Sequence, residues 1–118
     1  ADPEALDAVS IEKHIDAKTP PVFVWHTVPD DCVPHENTLM LVDACKKAGV
    51  SVEAHLFPNG GHGLSLGTAE TAWQGINGIE PCVQVWPKLA IAWMRRTFAA
   101  TDATAAMTGS ATTVAIAE

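Results

Sequence analysis

The run "VFVWHT" at residues 22–27 constrains the fold of this chain more than any other stretch. Val22, Phe23, Val24 and Trp25 follow one another without a polar residue between them. Successive side chains of a strand point to opposite faces, so a strand made here is apolar on both and needs cover on both. That is the condition of a parallel sheet lined by helices. A second β-rich run, "VSVEAHLFP" at 50–58, is separated from the first by a loop and a helical segment. In that segment Pro34 is tolerated in the first turn, Glu36 suits the N-terminal end, Lys46 and Lys47 suit the last turn, and Gly49 supplies the left-handed stop. Leu39, Val42 and Cys45, with Leu41, Ala44 and Ala48, give this helix a broad apolar face. A final helix is predicted from about Pro81 to Phe98, with Val83, Trp86, Ala90, Trp93 and Met94 spaced for burial. Pro87 marks its first turn or kinks it early.

The body therefore reads strand–helix–strand–helix, an α/β fold whose right-handed crossover makes the two strands parallel. Two strands are a thin sheet, with exposed ladder edges unless others join. By this reading the chain is physically incomplete as a sheet. Residues 2–9 add a short helix that Asp2 can cap, with Pro3 at its first position and Glu4 near its positive end. Residues 1–98 read as one segment of a domain, and 99–118 as an Ala/Thr-rich tail, flexible or an added strand through "TTVAIA" at 112–117.

Composition narrows the function classes. With 47% hydrophobic and 18% charged residues, the 118-residue chain suits one modest globular core. A net charge of −7, with no basic cluster beyond the pairs Lys46–Lys47 and Arg95–Arg96, argues against nucleic acid or anionic lipid as a partner. No apolar run approaches a membrane span, and the acidic N-terminus does not look like a signal peptide. Cys32, Cys45 and Cys82 are too few and too scattered for a disulfide framework and suit a reducing compartment, so a cytoplasmic location is expected.

Two loops carry chemistry-bearing residues, and both follow the C-terminal end of a predicted strand, where open α/β sheets gather ligands and catalytic groups. The first holds Asp30 and Asp31, the second His62. A carboxylate and an imidazole shown from neighbouring strands can meet, the acid fixing the tautomer of a general base. By spacing alone, loop carboxylates and a surface histidine are the plainer reading. Cys32 and His35 form a C-x-x-H beside Asp30 and Asp31, but no second pair of ligands follows, so no metal and no cofactor is expected.

The string "TPPVFVWHTVPDDCVPHENTLMLVDACKKAGVSVEAHLFPNGGHGLSL" resembles the C-terminal part of α/β-hydrolase-fold esterases, above all the bacterial carbohydrate-esterase, acetyl-xylan-esterase or lipase-like branch. That branch has P-P-x-F-x-W-H-T, an acidic D-x-x-V-P-x-E-N, and K-A-G-V-x-V-E-x-H-x-F-x-x-G-x-H-G in order, and "VQVWPKLAIAWM" resembles its terminal helix. The resemblance implies that Asp30 is the triad acid, because Asp30 to Pro34 fits D-x-x-V-P, and leaves Asp31 off register, facing solvent or the loop. It implies that His62 is the triad base. His14, His26, His35 and His55 do not match that position, and His26 and His55, inside strands, read as structural.

Residues 63–67, "GLSLG", fit the G-x-S-x-G signature of a nucleophile elbow, which sets Ser65 beside His62. In this fold the serine precedes both partners and sits between a strand and a helix. Ser65 follows both, on a Gly-rich loop, so it is expected not to be the nucleophile. The one serine before Asp30 is Ser10, which has no flanking glycines. The chain is thus expected to supply Asp30 and His62 to a nucleophilic serine carried elsewhere, on an N-terminal half of the hydrolase, and to be inactive alone. Its implied substrates are small esters such as acylated sugars. The alternative is a non-catalytic module that self-associates or binds a partner through its exposed sheet edge.

Overall fold

A computed structural model describes residues 2–73, 75, 77–108 and 115–117. Helix α1, Pro3–Val9, starts as the sequence leads one to expect: the Asp2 carboxylate accepts the Glu4 N–H, and proline opens the first turn. After a short 3₁₀ turn at Ile11–Lys13 the chain enters strand β1, Val22–Thr27. Helix α2, Glu36–Ala48, ends at Gly49, whose φ of 73° is the left-handed stop, and strand β2, Val52–Phe57, returns parallel to β1.

Strand β1 is covered on both faces, as its continuous apolar run requires. Phe23 and Trp25 pack with Leu64, Val83, Ala90 and Trp93, while Val22 and Val24 pack on the other side with Cys45 and Val50. Burying side chains of this size stabilises the fold by roughly 1.5–3 kcal/mol each, so β1 is the spine of the molecule. The second face is held by α2, but its inward stripe differs from expectation. Thr38 and Cys45 are buried and Leu41, Val42 and Ala48 half-buried, whereas Leu39 is 47% exposed.

The last helix, α3, runs Trp86–Thr108, starting later than Pro81 and continuing past Phe98. Residues 80–86 instead form a chain of tight turns, with Val83 N–H to Glu80 O at 3.2 Å and Trp86 N–H to Val83 O at 2.9 Å. Fully buried Val83 pins this entry segment to the core. Pro87 therefore lies in the first helical turn, where a missing N–H costs nothing and no kink arises. A third strand, β3, Ala115–Ala117, pairs parallel with β1 on the edge opposite β2, giving the order β2-β1-β3. The tail thus adds a strand within its own chain; residues 112–114 of the anticipated run lie outside the described residues. No helix among the described residues is long and apolar enough to cross a membrane.

The register decides where function gathers. Val22 pairs with Val52 and Thr27 with Phe57, so the two strands end level, and Val28 N–H still reaches Phe57 O at 2.9 Å. The loops that follow β1 and β2 therefore leave side by side.

Candidate active site

Asp30 sits just beyond β1, its backbone N–H turned back to Thr27 O at 3.3 Å. Its Oδ1 accepts the N–H groups of Cys32 and Val33, both at 2.9 Å, and this local turn holds the carboxylate in one orientation. The other oxygen, Oδ2, lies 3.1 Å from His62 Nδ1. The Asp30 side chain is 7% exposed and that of His62 52%, so the acid is enclosed and the imidazole open. Burial pushes the Asp30 carboxyl up, but the Val33 N–H, the His62 ring, the Cys32 N–H and the charge of His62 together outweigh it and hold the group below the usual carboxylate range. An ionised acid accepts hydrogen bonds only, so the proton shared with His62 belongs to Nδ1 and the neutral ring keeps Nε2 as its basic nitrogen.

The loop that carries His62 is placed by an apolar anchor together with polar bonds to its backbone carbonyls. Gly60, with φ of 109°, turns the chain so tightly that a Cβ there would lie 2.5 Å from Leu64 Cδ1. Leu64, 5% exposed, drives into the cluster with Phe23 and Trp25 and ties down the loop beyond His62. The buried Thr27 hydroxyl donates to Gly61 O at 3.4 Å, and Trp86 Nε1–H donates to Ser65 O at 2.8 Å. Sequence reading missed Leu64, Thr27 and His26 as parts of the site. His26 had one available signal: it is the first polar residue of an otherwise apolar strand.

The remaining sequence candidates separate clearly. Asp31 is exposed, as its register implied. Ligand atoms of Asp30, Asp31 and Cys32 lie within 4.8 Å of one another, but His35 is not in that group and instead faces Glu36 at 3.5 Å. His14 bonds Asp7 O, and His55 bonds Glu53. Ser65 has φ of 52°, the backbone strain of a tight turn closed by Gly67 N–H to Leu64 O at 2.8 Å. That strain, with the flanking Gly63 and Gly67, is what it shares with a nucleophile elbow. Turns and bends follow it, and among the described residues no α-helix begins until Trp86. A cleft of about 230 Å³ opens here, lined by Trp25, Thr27, Asp30, Val33, His62 and Ser65 among others.

Comparison with known proteins places this geometry in context. The model of the prolyl oligopeptidase family matches residues 1–75, a span that contains both Asp30 and His62. Endo-1,4-beta-xylanase B of Butyrivibrio fibrisolvens is 35% identical over 74 residues, which are 61% of this chain and 12% of that protein. Among solved structures, the carboxylesterase Cest-2923 from Lactobacillus plantarum WCFS1 superposes with a TM-score of 0.70 at 32% identity, over 72% of this chain and 31% of that one. The acetyl ester-xyloside bifunctional hydrolase from Caldicellulosiruptor lactoaceticus gives 0.66 at 39%, over 80% of this chain and 31% of that one. MGS-M1, an α/β hydrolase from a Medee basin deep-sea metagenome library, gives 0.68 at 42%, over 70% and 34%. The fold is thus that of the α/β hydrolases, as the motif string implied, and the chain spans about a third of the length of these structures.

Proposed function

This chain belongs to the prolyl oligopeptidase family, and from that premise we propose that it is the triad-completing segment of a serine carboxylic-ester hydrolase, Asp30 and His62 serving a nucleophilic serine outside these 118 residues. The observation that carries the reading is the 3.1 Å contact between Asp30 Oδ2 and His62 Nδ1, enclosed at one end and open at the other. In the reaction, His62 Nε2 takes the proton of the serine hydroxyl as its oxygen attacks the ester carbonyl. Ionised Asp30 keeps the Nδ1 proton in place and stabilises the imidazolium that forms. Nε2 then returns the proton to the departing alkoxide, leaving an acyl-enzyme that water clears by the same steps in reverse roles.

Esters rank above peptides because the similar structures are described as a carboxylesterase and an acetyl ester-xyloside hydrolase. The latter, with the xylanase relative, favours small acyl groups on sugars as substrate. A cleft of about 230 Å³ is below the ~300–1,000 Å³ of a whole ligand pocket, which suits a half-site whose other wall comes from a further part of the hydrolase. The test is hydrolysis of p-nitrophenyl acetate by a longer protein that contains this chain, with His62→Ala and Asp30→Asn alongside. Both variants are expected to abolish most turnover while binding persists; unchanged turnover in either rejects the reading.

A second reading, association through a sheet edge, draws on β2, which among the described residues pairs only with β1. Light scattering of the chain across a concentration series checks it, with a dimer expected if that edge is used.

A further inference from the structure

A further histidine, His26, lies against the acid of the Asp30–His62 pair. His26 lies in β1 with its side chain 12% exposed, and both of its ring nitrogens are engaged. Nε2 is 2.9 Å from Val33 O, and Nδ1 is 2.8 Å from Thr38 Oγ1. A carbonyl only accepts, so Nε2 carries the proton; in the neutral ring Nδ1 then accepts from the hydroxyl of Thr38, itself 5% exposed on α2. Val33 is the residue whose N–H donates to Asp30 Oδ1 at 2.9 Å. One residue, Val33, therefore accepts from His26 through its carbonyl and donates to the acid through its N–H. The same Nε2 lies 3.4 Å from Asp30 Oδ2, the oxygen that faces His62.

We propose that His26 is the positioning residue of this site: bridging Thr38 on α2 to the Val33 carbonyl, it fixes the loop at the distance where Asp30 Oδ2 meets His62 Nδ1. The inference rests on the relay reading of Asp30 and His62 given above. It assigns to a strand histidine a task that packing alone would not require. A histidine serving only to fill the core would cost stability when removed and leave the state of His62 untouched.

Long-range ¹H–¹⁵N correlation spectra of the histidine rings in the ¹⁵N-labelled 118-residue chain separate the two roles. In the unmodified chain, His62 is expected in its Nδ1–H form. His26→Leu keeps the volume and removes both hydrogen bonds. The ratio of Nδ1–H to Nε2–H at His62 is then expected to fall by about fivefold, the equivalent of one typical intramolecular hydrogen bond. His26→Gln, which retains a donor of similar reach, should recover much of that ratio. A folded His26→Leu protein with an unchanged His62 signal overturns the proposal. If that variant does not fold, Thr38→Val decides: loss of the α2 anchor must shift His62 in the same direction, and an unchanged signal overturns the proposal equally. An unmodified chain whose His62 is already in the Nε2–H form rejects the relay itself and the role of His26 with it.

Discussion

The two loops at the sheet edge hold their candidate site residues differently. The loop after β1 fixes Asp30 with polar bonds: two backbone N–H groups on one oxygen and an imidazole on the other. The loop after β2 holds His62 through the tight turn at Gly60, the buried Leu64 anchor and side-chain donors to its backbone carbonyls, while the imidazole itself bonds the acid. The outcome is one enclosed partner and one half-exposed partner. A proton relay needs that asymmetry. The acid must stay ionised and oriented away from solvent, while the base must be reachable by the group whose proton it takes. Two equally buried groups would lack access, and two equally open ones would lose orientation and strength.

The largest expected effect comes from disturbing the polar loop. In a longer protein carrying the full site, Asp30→Asn should lower kcat by ~10⁴-fold with little change in KM, because the amide presents an N–H to His62 and favours the wrong tautomer. Steady-state kinetics of the purified variant read this directly. Next is the apolar anchor. Leu64→Ala should cost about 2–5 kcal/mol of stability, measured by urea denaturation, and release His62 as a secondary effect. If it left stability untouched, the second loop would not be held as described.

A smaller effect concerns pH. The Asp30 carboxyl is held below its ordinary value of about 3.9 by its hydrogen bonds and by His62, so it contributes stability that is complete above that value. That contribution is lost as the pH falls through the lower, folded value. The stability gap between the unmodified chain and Asp30→Asn should accordingly be widest near neutrality and close in the acid range. The smallest effect belongs to Ser65: Ser65→Ala should leave activity of the longer protein within about twofold and stability within ~0.5 kcal/mol.

What could be read in the sequence follows the same division. β1 was legible because an apolar run has one physical solution, and the α2 stop at Gly49 because a left-handed cap is a local demand. The nearness of Asp30 and His62 was not in any spacing. It came from a motif string and became geometry once the register set Thr27 opposite Phe57. The inward turn of Thr38 and the outward turn of Leu39 were illegible, because the hydroxyl is drawn in by His26 at a site that hydrophobicity alone would give to leucine. The late start of α3 was hidden for a similar reason: Val83 is spaced for a helix but buried by a turn. The G-x-S-x-G match is the converse case, a local signature with a strained φ and without the strand and helix that give such a serine its use.

The most direct test is fluorophosphonate labelling followed by peptide mapping, on this chain and on a longer protein that contains it. The account predicts an adduct on a serine outside residues 1–118 of this sequence, no adduct on the chain alone, and loss of the adduct in His62→Ala. An adduct on Ser65 would contradict it and make the G-L-S-L-G loop the nucleophile after all.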